Sequence, residues 1–207
     1  MINLPVIVLD FETSGLSPQY GDRAIEIGAV LIENNMVIDR FQSLMNPGFG
    51  ISSFIEAYTG ITNDMVAAAP PCEEVMEQFA AFMGEHPLVA HNASFDRRFL
   101  DAELGFIGKS RSSSMACSML AARRVYPNAP NHQLGTLVRY CGIPTDGTFH
   151  RALADAEMTG RLWIAMIDEI KDTFGLNRVD FDMMRELSRI TRAKAPAYLA
   201  KIAGAQR

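Results

Sequence analysis

The sequence of 207 residues has few cysteines, no excess of basic residues and no long apolar run at its start. Its three cysteines are an odd number without CxxC spacing, which argues against a disulfide framework and favours reduced thiols. The opening stretch MINLPVIVLDFE lacks a basic region, and Asp10 interrupts its apolar run. These features exclude a signal peptide and a membrane span there, and they predict a cytoplasmic protein without membrane contact.

The charge balance is acidic, with a net charge of −5 and a pI of about 5.4. Phosphates attract basic surfaces, so bulk electrostatics does not predict a nucleic-acid binder. Binding of nucleic acid would require local positive charge, either from divalent metal or from a restricted basic patch. Hydrophobic residues make up 48% and charged residues 21%, which is typical of one folded domain and excludes disorder on a large scale.

Apolar periodicity predicts strands first and then an alternation of strands and helices. We expect an antiparallel three-strand meander over residues 4–10, 24–33 and 36–45, and a further buried strand over 87–91. Helices are expected over residues 73–83, 94–104, 114–126, 131–140 and 151–170, with a strand near 115–119 as an alternative. This order predicts an α/β fold with a mixed sheet covered by helices.

The last part of the chain differs in character from the rest. Residues 185–207 contain one acidic residue and six basic ones, namely Arg185, Arg189, Arg192, Lys194, Lys201 and Arg207. We therefore predict a main domain over residues 1–175 and a basic, helical appendage over residues 176–207. One hypothesis is that this appendage helps to hold a nucleic-acid strand or a partner protein.

Two carboxylates follow the first apolar run. Asp10 and Glu12 are two positions apart, so on a strand their side chains point to the same side. Like charges this close repel each other, and a divalent cation would remove that repulsion. An exposed loop start, where acidic residues are common, is the alternative, and the pair alone only modestly favours a metal site.

Two further segments place acidic residues at helix starts. Asp96, in HNASFDRRFL, falls in a first helical turn just after the strand at 87–91, although the helix dipole alone would favour an acid there. His150 and Asp155, in HRALADAE, come together if His150 precedes the helix and Asp155 lies in its early turns. Four carboxylates and one histidine match the requirements of phosphodiester hydrolysis with two hard cations, Mg²⁺ or Mn²⁺.

The motifs resemble those of the DnaQ-like (DEDDh) exonucleases. LDFETSGLSP resembles the first exonuclease motif, HNASFD the second and HRALADAE the third, in order and with suitable gaps. AYTGITNDMV resembles the family's IHGIT-type segment, and the likeness extends over about residues 4–170. The motifs are closer to the epsilon type of DNA polymerase III than to oligoribonuclease.

The resemblance implies a ribonuclease-H-like, five-stranded mixed sheet and release of 5′-mononucleotides from 3′ ends. It implies that Asp10 bridges two metals, that Glu12 and Asp155 hold the nucleophile-side metal, and that Asp96 supports the other through water. His150 would be the general base. The residues implied in substrate binding are Thr13, Leu16, Tyr58, Asn92 and Phe95.

Two positions depart from the family pattern. Phe11 replaces a small or β-branched residue within DxE, and we expect it to point away from the metals. Tyr58 replaces a histidine common in relatives, which leaves the preference for a sugar or base at that position open.

Three functions remain open at this level. An active exonuclease is favoured because all five motif positions are intact, with single-stranded DNA as the preferred substrate and RNA 3′-end trimming as the alternative. The second is a catalytically silent RNase H-like module that binds a polymerase or nucleic acid. The third is an accidental match in an unrelated α/β protein. Relatives include monomers and dimers, so a homodimer is also open.

Overall fold

The computed structural model describes residues 5–145 and 151–206. One five-stranded sheet forms its centre, and its strands are β1 Val6–Thr13, β2 Ala24–Glu33, β3 Met36–Leu44, β4 Leu88–Ala90 and β5 Met115–Cys117. The strand order across the sheet is β3-β2-β1-β4-β5. The first three strands pair antiparallel, whereas β4 pairs parallel with both β1 and β5. The predicted mixed sheet, a meander extended by parallel strands, is therefore confirmed.

Helices cover the sheet on both faces. In the described ranges they are α1 Ser53–Thr59, α2 Asn63–Ala68, α3 Cys72–Met83, α4 Ser94–Phe106, α5 Ser118–Val125, α6 Leu134–Tyr140, α7 Ala152–Phe174, α8 Phe181–Arg189 and α9 Ala195–Ala205. Short 3₁₀ turns occupy Pro18–Tyr20 and Arg192–Lys194. None of these helices is long and apolar enough to cross a membrane.

The alternation of side chains along β1 divides the core into two layers. Val6 and Val8 pack into an apolar cluster that includes Trp163 of α7, whereas Ile7 and Leu9 pack into a second cluster with Phe79 of α3. Successive side chains of a strand point to opposite faces, so an apolar strand buried on both sides forms the centre of the molecule. The end of this buried strand carries Asp10 and Glu12.

Several predicted elements differ from the structure. The first strand continues to Thr13 rather than ending at residue 10, and α7 continues to Phe174 rather than ending at residue 170. The expected helix over residues 114–126 begins with the short strand β5, which was the stated alternative, and only Ser118–Val125 is helical. The helix α4 does not end at Gly105 but continues to Phe106. The helix expected from residue 131 begins at Leu134, and the short helices α1 and α2 were not predicted.

The basic tail is helical and packs on the body of the protein. Met184 and Leu187 of α8 and Leu199 of α9 are buried in the same cluster as Trp163. Side chains from both sides of residue 175 therefore share one core. The boundary between two units at this residue remains a prediction.

Candidate active site

Asp10 and Glu12 lie in the last four residues of β1, inside the strand rather than beyond it. Their Cα atoms pair with those of Gly28 and Glu26 on β2. Phe11, between them, is buried in the apolar cluster on the opposite face, as expected from its position. The ladder shifts register directly after Glu12, so the carboxylates mark the point where regular pairing ends.

Asp96 reaches the same place from the neighbouring parallel strand. Because β4 runs parallel to β1, the chain leaves both strands at the same edge of the sheet. Asn92 turns the chain there with a left-handed φ of 67°, and α4 begins two residues later. Asp96 is only 2% exposed, and its Oδ1 accepts a hydrogen bond of 3.3 Å from the Phe11 amide.

Asp155 arrives on the first turn of α7, which crosses the face of β1 and β2. The start of this helix is attached to β2 through Glu26, whose side chain is fully buried. The Glu26 carboxylate accepts hydrogen bonds from Arg151 Nη2 at 2.9 Å and from the Ala152 amide at 3.1 Å. The Asp155 amide in turn donates to the Arg151 carbonyl oxygen at 3.0 Å, so Glu26 fixes the turn that carries Asp155.

These elements bring Asp10, Glu12 and Asp155 together, with one oxygen of each carboxylate within 4.8 Å of the others. They face a cavity of about 500 Å³ that Asp96 also lines. The fifth predicted catalytic residue, His150, lies outside the described residues, directly before Arg151 in the chain.

Burial and mutual repulsion make the charged form of this cluster unfavourable. Burial, and then repulsion from Asp155, Glu26 and Asp96, raises the pKa of Glu12 to about 8. Burial likewise raises the pKa of Asp96 to about 7 and that of Asp10 well above its usual range. Carboxylate oxygens are the ligands that hard divalent cations prefer, and a cation would offset the repulsion. The donor set therefore fits a divalent metal site.

The raised pKa values predict an unusual pH dependence of stability without metal. The folded chain holds protons on these acids between about pH 4 and about pH 8, where the unfolded chain has released them. The free energy of unfolding in EDTA is therefore expected to fall as the pH rises from about 5 to about 8. Urea unfolding at several pH values checks this. Saturating Mg²⁺ should suppress the decline, because the cation binds the deprotonated carboxylates; a profile in EDTA that rises over this window would contradict the prediction.

All five predicted substrate-binding residues line the cavity that the carboxylates face. They are Thr13, Leu16, Tyr58, Asn92 and Phe95. Leu16 is 78% exposed, so its apolar side chain is accessible to a ligand in the cavity. The Thr13 hydroxyl donates to the Gly15 carbonyl at 2.6 Å, which leaves its oxygen as an acceptor toward the cavity.

Phe54 lines this cavity too, and sequence reasoning missed it. Its ring stacks on that of Tyr58, with centroids 6.1 Å apart and an interplanar angle of 10°. The two are four positions apart on α1, and residues at that spacing share a helix face. Prediction of a helix at this segment would have revealed the pair.

His91 also lines the cavity but is held as a structural residue. Its Nδ1 lies 2.9 Å from the Ser118 hydroxyl, and its Nε2 lies 2.9 Å from the His132 carbonyl oxygen. Burial lowers the pKa of His91 to about 4, so the ring is neutral at physiological pH. With both nitrogens engaged, His91 is poorly suited to accept a proton from an attacking water.

The exonuclease family model RNase_T matches residues 7–163 of this chain. The chain belongs to this exonuclease family. The sequence is 39% identical over 165 residues to a DNA polymerase III of the PolC type from Bacillus cereus, covering 79% of this chain. The match spans only 11% of that much longer protein.

Solved structures of exonucleases share the fold. Exonuclease X, determined in complex with 5′-overhanging duplex DNA, superimposes with a TM-score of 0.69 at 27% identity and covers 88% of this chain and 99% of its own. The nuclease domain of 3'hExo, a DEDDh family member bound to rAMP, also gives 0.69, at 21% identity and with 79% and 92% covered. The predicted class, a DnaQ-like 3′–5′ exonuclease with a ribonuclease-H-like sheet, is confirmed. Membership of this family implies a dependence on divalent metal, which the carboxylate group of Asp10, Glu12 and Asp155 fits.

Within this exonuclease, Glu26 is expected to support activity without touching substrate. The variant Glu26→Gln keeps an oxygen for the Ala152 amide but loses the charge that holds Arg151. We expect a loss of about 1–2 kcal/mol in stability, reduced from the value for a buried ion pair because Arg151 is partly exposed, and a roughly 10- to 100-fold loss in turnover.

Glu157→Gln is the matched control for this change. Glu157 lies on α7 and forms an ion pair with the exposed Arg40 of β3, so this pair also joins the helix to the sheet. Its stability should change by less than about 1 kcal/mol. Urea unfolding and initial rates of both variants test the prediction. Equal effects of the two substitutions would show that the Glu26 contact does not position α7.

Proposed function

We propose that this chain releases 5′-mononucleotides one at a time from the 3′ end of single-stranded DNA, with two divalent metal ions and His150 as general base. The convergence of Asp10, Glu12 and Asp155 within 4.8 Å carries this proposal. RNA 3′-end trimming is the alternative activity, and a silent module that binds a polymerase is the alternative class.

The carboxylates form two sets that would hold the two metals. Asp10, Glu12 and Asp155 form the tight group, whereas Asp96 faces the same cavity from α4. We assign the first group to a metal on the side of the attacking water and Asp96, with Asp10, to the second. Bound Mg²⁺ or Mn²⁺ supplies the charge that activates the water and stabilises the leaving oxygen. His150, next to the fixed Arg151, would take the proton of the water.

Three exposed apolar and aromatic residues that share the cavity with the carboxylates support an unpaired 3′ end as substrate. Phe54, Tyr58 and Leu16 are all more than half exposed beside the carboxylates, and such surfaces offer stacking to bases that are not paired. A base within a duplex already stacks on its neighbours and would have to be unpaired first. The exposed side chains of Phe54, Tyr58 and Leu16 therefore favour a frayed or single-stranded end.

Removal of the Phe54 ring is expected to weaken substrate binding. Stacking of a base on an aromatic side chain contributes about 1–3 kcal/mol, so Phe54→Ala should raise KM for a single-stranded oligonucleotide by about tenfold with little change in kcat. Phe49→Ala is the control, since Phe49 is an exposed aromatic residue outside the cavity. A fall in kcat at constant KM would argue against a stacking role.

Degradation of 5′-labelled single-stranded DNA and RNA of the same sequence tests the function. Wild type and Asp10→Asn are compared in Mg²⁺, Mn²⁺ and EDTA. We expect a metal-dependent ladder that shortens from the 3′ end, faster on DNA and absent in the variant. Faster cleavage of RNA would favour the trimming activity, whereas no cleavage of either by folded, metal-loaded protein would favour the silent module.

The PolC-type relatives support a polymerase context, in which this chain acts on 3′ ends made by DNA synthesis in the cytoplasm. The match covers only 11% of the Bacillus cereus protein, so a polymerase would be a partner of this chain in the proposed context. Co-purification of the tagged chain with a replicative polymerase would support this context.

A further inference from the structure

A second cavity, of about 410 Å³, lies between the exonuclease body and α8. Three arginines from three different helices line it, namely Arg97 of α4, Arg124 of α5 and Arg189 of α8. Among the described residues that line it there is no aspartate or glutamate, and Ser94 and Ser188 add hydroxyl groups. In a chain with a net charge of −5, this is a concentration of positive charge in one place.

The three arginines are not equivalent. The Arg124 guanidinium is tethered, since its Nε donates to the Ile190 carbonyl at 2.9 Å and its Nη1 to the Leu120 carbonyl at 2.7 Å. These bonds hold the end of α8 against α5 and thereby keep Arg189 at the cavity. Within residues 5–145 and 151–206, neither Arg97 nor Arg189 forms an ion pair with a carboxylate.

Like charges that converge on a cavity repel each other, and an anion would relieve this repulsion. Arginine presents a planar fork of N–H donors that matches the oxygens of a phosphate. The cavity therefore has the charge, the donors and the volume to receive a phosphate group.

This arginine cavity adjoins the active-site cavity at the start of α4. Ala93 and Ser94 line the arginine cavity, whereas Asn92, Phe95 and Asp96 line the active-site cavity. Only the first turn of one helix separates them, and a helix with its side chains is about 10–12 Å across. A strand with its 3′ end at the carboxylates would need only a few nucleotides to cross this turn.

We infer that the arginine cavity binds a backbone phosphate of the substrate strand a few nucleotides from its 3′ end, so that α8 of the basic tail forms part of the nucleic-acid interface. This inference rests on the proposed action on single strands. It assigns a role to Arg189 alone among the basic residues of the tail, and it supplies the local positive charge that the acidic composition requires for binding.

Competition binding to the full-length Asp10→Asn protein, which should cleave its ligand roughly 10³-fold more slowly than wild type, tests the inference. Labelled decathymidylate is displaced by unlabelled decathymidylate, dithymidylate or thymidine 5′-monophosphate. We expect Arg97→Ala and Arg189→Ala each to weaken decathymidylate binding roughly fivefold. Each should also lower the slope of log Kd against log salt concentration by at most about 0.7, the value for one neutralised phosphate of a single strand.

Arg192→Ala is the matched control, because Arg192 belongs to the same basic tail and does not line the cavity. Its affinity and salt slope should equal those of the parent. Arg189→Glu compared with Arg192→Glu repeats the comparison with a larger change of charge, and both positions are exposed, so folding should be retained.

The outcomes separate the possible ligands. A loss confined to decathymidylate supports a backbone phosphate, and an equal loss for thymidine 5′-monophosphate supports a free nucleotide phosphate in the same site. Arginine variants that bind like Arg192→Ala would overturn the site. Failure of the proposed function is recognised separately, by wild-type protein that cleaves no single strand in the presence of metal.

Discussion

Replacement of Gly28 with alanine is expected to destabilise the fold by about 3 kcal/mol, at the upper end of what overpacking costs, and to reduce nuclease activity with it. A Cβ atom built at Gly28 would lie 2.1 Å from the Leu153 amide nitrogen and 2.2 Å from the Ala152 carbonyl carbon. Both are backbone atoms of the first turn of α7, so no side chain can rotate away to make room.

The activity should fall because Gly28 lies opposite Asp10 in the sheet, while the helix turn that it contacts leads to Asp155. A shift of α7 away from β2 would separate these two carboxylates and strain the Glu26 contact. Displacement of a ligand by about 1 Å is enough to lower turnover by roughly 100-fold.

Gly105→Ala provides the matched control for Gly28→Ala. Gly105 lies within α4, and a Cβ atom there meets nothing within 4 Å. Alanine is the better helix former by about 0.5–1 kcal/mol, so this variant should be slightly more stable than the parent. Urea unfolding of both variants gives the comparison, and a Gly28→Ala protein as stable as the parent would rule out the close approach of α7 to β2.

Local patterns predicted the parts of the fold that short-range physics determines. The meander was predictable because its strands are apolar runs and because asparagine favours a tight turn between the second and third of them. Asn34 and Asn35 form this turn with left-handed φ values of 51° and 62°, which asparagine tolerates. The continuation of α4 through Gly105 was not predictable in this way. Burial of Leu104 and the flanking apolar face outweighs the weak helix propensity of one glycine.

Contacts between segments that are distant in the chain could not be predicted from the sequence. Nothing in IEIGAV shows that Glu26 accepts from Arg151, 125 positions later, because that contact depends on where α7 crosses the sheet. The motifs did indicate Asp10, Glu12, Asp96 and Asp155. Yet Asp155 comes close to Asp10 and Glu12 only because α7 crosses the sheet there, and Asp96 faces the same cavity only because β4 pairs parallel with β1. The arginine cavity is likewise formed by three helices that are far apart in the chain.

Replacement of Asp10 with asparagine is expected to abolish most of the nuclease activity. Stabilisation of transition-state charge by a bound metal is worth several kcal/mol, and loss of about 4 kcal/mol corresponds to a roughly 10³-fold lower rate. The same change should remove most of the increase in melting temperature that Mg²⁺ gives to the parent, because Asp10 belongs to the tight carboxylate group. Rates and thermal unfolding with and without Mg²⁺ measure both effects.

In EDTA the same variant should be more stable than the parent, which is the opposite of what loss of an ordinary buried contact would produce. Burial first, and then the charges of Asp96 and Asp155, raise the pKa of Asp10, so its ionised form opposes folding. Asparagine keeps the shape and removes the charge. We expect a gain of about 1 kcal/mol at neutral pH, or about 2–4 °C in Tm for a chain of this size.

Asp172→Asn is the control for the loss of one negative charge, since Asp172 lies exposed on α7, outside the carboxylate group. It should leave activity and the response to Mg²⁺ unchanged and shift Tm little. If Asp10→Asn were less stable than the parent in EDTA but fully responsive to Mg²⁺, the carboxylate cluster would be a structural network. A gain in stability together with the loss of activity and of the Mg²⁺ response is what a site assembled for cations requires, because its ligands repel one another until the cation binds.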